Sequence, residues 1–474
     1  DTVRLEAEAT GSLPLEFQWF KDGLAVPAAN GPTLTLTGVS LADSARYALA
    51  VRNSAGATTS AVVAVSVLQP VPSHRKIVGQ FLLYPPAIGA DGNTYASHSG
   101  LVAYAPDGTR LWRYLYAGQL GPSIGADQGL LLPSSQDRFV SVRRDGIVGW
   151  YSFTDAPVTS ASAVGADGRI HFGTMIPNSQ TGAIHAISAT GTPLWKTPVI
   201  GANYGTPALA ANGDLYVAVG TNLICFASDG QLKWRFPTTG AAASPAIGEG
   251  GTIYFGSGDG RVRALTPAGA ALWTVDVGSA VSASPCIGTD GTVYVGTMGT
   301  LNPTTPEASP RLLAITSSGG IRWDFPVPLP IQAAPAVATD GTIYVGTSVF
   351  HAINPNGTEK WQFEGDGPCR SGVTIGPDGT VYLGSGSLFA FSAGSKPAPS
   401  PWPMVGRDYR HRSRASAGRP PVIAVTIPAG QGPIPMTDRI GLAASVVEGD
   451  EPVERVEWLV DGIPVAATTR FPYV

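Results

Sequence analysis

A glycine followed four residues later by a tryptophan recurs through the middle of this chain, as Gly108/Trp112, Gly146/Trp150, Gly191/Trp195, Gly230/Trp234, Gly269/Trp273, Gly319/Trp323 and Gly357/Trp361. These tryptophans stand 38 to 50 residues apart, and Trp402 follows 41 residues after Trp361 with a short insertion in the motif. A second signature lies upstream in every unit, as PAIGADGNTY from Pro86, PSIGADQGLL from Pro122, SAVGADGRIH from Ser162 and PALAANGDLY from Pro207. It continues as PAIGEGGTIY from Pro245, PCIGTDGTVY from Pro285, PAVATDGTIY from Pro335 and VTIGPDGTVY from Val373. Counted either way there are eight units. A period near 40 residues describes a supersecondary element that cannot bury its apolar faces alone and must stack on its neighbours.

The unit Ser244–Val275 resolves into four short apolar runs, Ala243–Ile247, Thr252–Phe255, Val262–Leu265 and Leu272–Val275, each bounded by Gly, Pro or Asp-Gly. None is long enough for a helix, and turn residues this frequent predict an antiparallel four-stranded meander. Four-stranded sheets of this size are expected to pack radially as an eight-bladed β-propeller over residues 80–405. Trp112, Trp150, Trp195, Trp234, Trp273, Trp323, Trp361 and Trp402 are then expected to be structural, wedged between successive sheets. The Asp-Gly and Asn-Gly pairs close hairpins on one face. Each offers one carboxylate, where calcium needs six to eight oxygens, so no metal site is expected.

Composition agrees with an all-β chain: 43% hydrophobic and 14% charged, with 59 Gly and 41 Pro. A net charge of −4 gives no reason to expect nucleic acid, and no apolar run is long enough to span a membrane. Cys225, Cys286 and Cys369 align with Ala264, Ala246 and Ala241 of the reference unit, small-residue positions where a free thiol packs as a small hydrophobe. His171, His185 and His351 fall at strand positions and are expected to pack or hydrogen-bond there.

Residues 1–68 alternate as short strands around Trp19, with Asp43-Ser-Ala-Arg-Tyr47 near the far end. This resembles an immunoglobulin-like sandwich whose two cysteine positions are Ala7 and Leu49, with the disulfide replaced by apolar packing. A linker over 69–79 containing His74 follows. Past the repeats, 406–419 with Arg407, Arg410, Arg412, Arg414 and Arg419 reads as a solvated basic linker. Residues 420–474 resemble the opening strands of a second such sandwich, Trp458-Leu-Val-Asp-Gly462 mirroring Trp19-Phe-Lys-Asp-Gly23, so that the sequence reads as part of a longer chain.

The G-T-[IV]-Y-[VF]-G-[ST] strand, as in Gly291–Thr297, and the A-[LI]-x-x-x-G-x-x-x-W end, as in Ala352–Trp361, resemble the pyrroloquinoline-quinone-type propeller repeat. That family holds quinoprotein dehydrogenases and non-enzymatic relatives such as the outer-membrane barrel-assembly lipoprotein. The resemblance implies an extracytoplasmic setting. A dehydrogenase would further need adjacent cysteines, a Trp beneath the quinone plane, carboxylate and amide calcium ligands, and a catalytic Asp. The chain has no Cys-Cys pair and no spare Trp, so neither cofactor nor catalytic residue is expected.

Loops joining second to third strands, and connections between units, share the other face and vary, the longest being 174–181 and 297–310. Variable loops on a rigid frame are where binding resides. Aligning the residue that leads into each first strand gives Leu83, Gln119, Thr159, Tyr204, Ala242, Ser282, Gln332 and Arg370. The candidate binding residues at this channel mouth are Gln119, Tyr204, Gln332 and Arg370, with His98 and Arg138 from neighbouring loops. The expected function is a non-catalytic, monomeric binding or scaffold module recognising protein or glycan. The alternatives are a quinone-dependent dehydrogenase and a substrate-binding or sensing module of a larger enzyme.

Overall fold

The computed structural model describes residues 2–78, 84–98, 100–115, 120–125, 127–134, 137–201, 205–299, 309–408 and 410–415, and beyond them the strands Val422–Thr426, Ala443–Val447, Val456–Val460 and Ile463–Thr468. The first seven repeats fold as the expected meander. The reference unit forms strands Ala246–Ile247, Ile253–Ser257, Arg261–Leu265 and Ala271–Asp276, paired in sequence order. Eight such four-stranded sheets occur among the described residues. Their first strands begin at Ala87, Ser123, Ala163, Ala208, Ala246, Cys286, Ala336 and Thr374, and the sheets are numbered here in that order.

Contacts between sheets run in a circle. The tryptophan on the outer strand of one sheet lies against the turn glycine of the next: a Cβ on Gly146 would meet Trp112, one on Gly230 would meet Trp195, and one on Gly357 would meet Trp323. Its indole N–H donates to a carbonyl in that same turn, from Trp112 to Arg144 (2.6 Å), Trp195 to Ser228 (3.0 Å), Trp234 to Pro267 (2.9 Å), Trp273 to Ser317 (2.8 Å) and Trp323 to Pro355 (2.8 Å). Trp361 of the seventh sheet packs on Phe391 of the eighth. Tyr382, Leu388 and Ala390 of the eighth then pack against Ile88, Val102 and Tyr104 of the first. Each turn aspartate accepts a bond from the backbone two residues on, as Asp290 does from Thr292 and Asp378 from Thr380, which is turn chemistry rather than ion binding.

The eighth sheet departs from the sequence reading. Its outer strand is His74–Val78, paired with Ser387–Ser392, so part of the expected 69–79 linker closes the circle. His74 is exposed, yet its ring sits against Phe363 and Phe391. Trp402, expected on that outer strand, is instead buried among Ala246, Ile247 and Ile287 of first strands.

Residues 2–68 form two sheets enclosing Trp19, Leu34, Tyr47 and Leu49. Trp19 and Leu49 face each other across paired strands, and the Tyr47 hydroxyl donates back to Asp43 O (3.3 Å). Near the C-terminus, Val422–Thr426 pairs with Ala443–Val447, and Val456–Val460 with Ile463–Thr468.

Candidate functional site

The two ends of the central channel differ. At the end bearing the hairpin turns, a single segment, 397–415, crosses the last residues of the first strands. Ile124 N donates to Arg410 O, Val164 N to Arg412 O, Leu209 N to Ser413 O, Ile287 N to Trp402 O and Val337 N to Pro403 O, all between 2.7 and 2.9 Å. First strands from five sheets thus spend their terminal donors on one stretch of chain. Trp402 is 2% exposed, and Met404 is fully buried.

The expected solvated basic linker is therefore corrected. Arg407, Arg410, Arg412 and Arg414 are all buried; Arg419 lies outside the described residues. The charge is tolerated because Asp408 sits among the arginines, accepting from Arg412 Nε (2.8 Å), with the Arg412 Nη2 and Arg407 Nη1 cations at ion-pair distances of 2.7 and 3.7 Å. These cations hold the Asp408 carboxyl well below the ordinary range despite its burial. Arg410 and Arg414 are partnered as well. His411, whose Nε2 lies 3.1 Å from Thr374 Oγ1, is pushed down to about 4 by burial. Beside this segment a cleft of about 910 Å³ opens between the fourth, fifth and sixth sheets, lined by Tyr216, Glu249, Thr289, Ser400 and Arg407.

The opposite, loop end carries the aligned mouth positions. Thr159, Ala242, Ser282, Gln332 and Arg370 each stand four residues before their first strand. Bridges Ala242↔Ser257, Val158↔Thr174 and Cys369↔Ser385 fix this stretch beside the far end of the second strand. Ser282, Gln332 and Arg370 are exposed, while Thr159 and Ala242 are half-buried. Ser282 Oγ donates to Met298 Sδ (3.1 Å). Gln119, Tyr204 and Leu83 lie outside the described residues.

The other two candidates are engaged within their own sheets. His98 Nε2 is 3.1 Å from the Tyr104 hydroxyl, tying it into the first sheet, and burial lowers its pKa. Arg138 reaches the outer edge of the second sheet, its guanidinium carbon 5.1 Å from the Tyr151 ring. The His171 ring lies tilted against Trp195 with centroids 5.7 Å apart, His185 bonds Thr174 Oγ1 (2.9 Å), and His351 bonds Glu359 (2.6 Å). The three cysteines are free and buried, and burial drives Cys225 up to about 12 and Cys369 to about 11, far from a reactive thiolate.

The described residues do not fit pyrroloquinoline quinone and its calcium. Seven tryptophans are engaged between sheets, Trp402 is enclosed by the crossing segment, and Asp408, the carboxylate of that segment, is taken up by arginine. Among the described residues no three His, Cys, Asp or Glu cluster to hold a metal, and no helix is long and apolar enough to cross a membrane.

Comparison with known proteins places this geometry. The family model described as outer membrane protein assembly factor BamB matches residues 97–268 and 258–396. Among curated proteins nothing matches. Among solved structures, BamB from Moraxella catarrhalis is similar at 17% identity and a TM-score of 0.52, covering 68% of this chain and 98% of its own. The computationally designed Ika8 protein is similar at 12% and 0.53, covering 66% and 96%. The Dos1 propeller is similar at 11% and 0.52, covering 69% and 95%. At such identities the structures speak for the β-propeller fold alone, whereas the family match spans more than half the chain: it belongs to the PQQ-type repeat family described as outer membrane protein assembly factor BamB.

Proposed function

We propose that the chain is a non-catalytic, extracytoplasmic scaffold that recognises a protein, or a glycan, across the loop face of its propeller, between immunoglobulin-like modules at 1–68 and 420–474. The observation carrying this is the division of labour between the channel ends. The turn end is filled by the chain's own residues 397–415, while the loop end presents Gln332 and Arg370 beside the variable loops. Support for a binding rather than a redox role comes from the tryptophans and Asp408, all committed to packing or to arginine. Gln119 and Tyr204 belong to the same proposed surface by repeat alignment.

The test is a photo-crosslinking side chain placed at Gln332 or Arg370, and for comparison at Asp229 in a turn of the opposite face. A discrete adduct from the loop-face positions and none from Asp229 is expected; the reverse pattern removes the assignment. Dye-linked alcohol oxidation after incubation with quinone and calcium would overturn the non-catalytic reading.

A further inference from the structure

The outer strand of a propeller sheet is an edge whose outward backbone groups its own sheet leaves unpaired, and such edges invite pairing with another chain unless charge, proline or a covering segment blocks them, as Arg46, Ser66 and Gln69 partly cover the sixth and seventh. In the second sheet Thr154 N donates to Asp137 O, in the register that pairs Phe139 with Ser152 and Val140 with Tyr151. Alternation along the ladder then turns the N–H and C=O of Tyr151 and Phe153 outward. These are the residues one and three after the repeat tryptophan.

The same two positions elsewhere are Arg113 and Leu115, Lys196 and Pro198, Arg235 and Pro237, Thr274 and Asp276, Asp324 and Pro326, and Gln362 and Glu364. Each of those six pairs contains a charge. The closing strand of the eighth sheet carries Arg75 and Lys76. Val148–Phe153 alone has no charged residue and no proline. Its Tyr151 and Phe153 are 42% and 76% exposed, with ring centroids 6.4 Å apart on one face.

From this pattern we infer that the second-sheet edge Trp150–Phe153 is a self-association site, pairing antiparallel with the same strand of a second copy about a two-fold axis through Ser152. The register is self-complementary. Tyr151 of each copy stands opposite Phe153 of the other, giving two cross-strand aromatic pairs and four backbone hydrogen bonds, with the small Ser152 residues meeting at the axis. The strand's own lack of charge argues for a like strand as occupant, the one cation beside it, Arg138 on the neighbouring strand, lying over the Tyr151 ring: the charged edges of the other sheets would set a charge against this one or repel their own kind. With those edges blocked, assembly stops at two copies. Nothing in the repeat pattern alone calls for more than a monomer; the two aromatic residues at guarded positions do. Four rings cover at most about 600–1,000 Å², below the size of a permanent interface, so the dimer is weak and concentration-dependent.

The test is sedimentation of the full 474-residue chain from about 1 µM to about 0.5 mM, the range suited to so small an interface. The wild type moves from monomer toward dimer. Phe153→Lys alone and Tyr151→Glu alone stay monomeric with unchanged circular dichroism. An equimolar mixture of the two variants restores a heterodimer, because the introduced lysine of one copy then faces the introduced glutamate of the other while the remaining Tyr151 and Phe153 still pair. A wild type monomeric throughout, a Phe153→Lys chain that still dimerises, or a mixture that stays monomeric overturns the proposal; a dimer with another chain's strand in its place would show as a hetero-complex lost in the same variants and would likewise overturn self-association.

Discussion

Replacing Gly230 by alanine isolates what holds one sheet to the next, because the chain supplies its own control. Gly230 has φ +86°, and a Cβ there would lie 2.6 Å from Trp195 Cδ2 and Cε3. Gly108 closes the same turn in the first sheet with φ +89°, yet a Cβ there meets nothing within 4 Å. The reason is the closing strand: the sheet before the first is the eighth, whose outer strand His74–Val78 carries no tryptophan. Both substitutions force a side chain into left-handed backbone, costing about 1–2 kcal/mol. Gly230→Ala also overpacks the indole, about 1–3 kcal/mol, and strains the Trp195–Ser228 bond, about 0.5–1.5 kcal/mol. Gly230→Ala should therefore cost about 2–4 kcal/mol more than Gly108→Ala, read from urea midpoints at matched slopes by far-UV circular dichroism. In a Trp195→Ala background the excess should vanish. Equal losses at the two glycines, or an excess that survives removal of the indole, would refute the indole-on-glycine account of the ring.

Acidification should destabilise the fold while the Asp408 carboxylate, held low by its arginines, is still ionised. His171, His185 and His411 are each pushed from 6.5 to about 4 by burial; with the folded value depressed for a base, the unfolded chain binds more protons below about pH 6.5. Each should cost about 2 kcal/mol by about pH 5 and more toward pH 4, and replacing one with a neutral residue should flatten the pH dependence of the urea midpoint by that share. Asp408→Asn should cost about 3–5 kcal/mol, since it strands buried arginines; a loss under about 0.5 kcal/mol would mean that 406–415 is solvated after all. Arg75→Pro should remove the closing strand's bond to Ala390, the next in the ladder after Ser392 N to Ser73 O (2.8 Å), and amide exchange should then accelerate across Ser387–Ser392 while Asn222–Phe226 keeps its protection.

Most of the ring was legible because a local period carries it: Gly-x3-Trp and the Pro-Ala-Ile-Gly signature each describe contacts within one unit. What the period could not report was pairing across the chain. Trp402 fell at the right spacing, and spacing alone put it on an outer strand. The contrary signs were present in Ala398, where other units have glycine four residues before the tryptophan, and in Pro401 and Pro403 on either side of it. The true closing strand, His74–Val78, bears no repeat signature and pairs with residues more than 300 positions away. The arginines misled for another reason. A charge run is ordinarily solvated, but Asp408 and Arg412 stand four apart and neutralise each other locally, while first-strand donors take the segment's carbonyls. At the candidate mouth, alignment put Ser282, Gln332 and Arg370 at one repeat position, each exposed and four residues before its first strand, but held no sign that Arg138 would lie against Tyr151.

The closing strand also gives the N-terminal sandwich a mechanical role. Residues 2–68 touch the seventh sheet through Asn356 Nδ2 to Ser44 O (3.0 Å) and to Asp22 Oδ2 (3.1 Å), and through Glu359 N to Ser66 Oγ (2.9 Å). The chain then runs on to His74–Val78 in the eighth sheet. The sandwich is therefore fastened on one side of the place where the circle closes, and the strand it delivers lies on the other. Each bond is worth about 0.5–1.5 kcal/mol, so beginning the chain at residue 69 should remove a few kcal/mol from that seam and little from the third to fifth sheets, which the sandwich does not reach through these bonds. Amide exchange should then rise first in Val349–Ile353 and Ser387–Ser392. Uniform loss of protection around the ring would show instead that the sheets unfold as one unit and that the seam has no separate stability to lose.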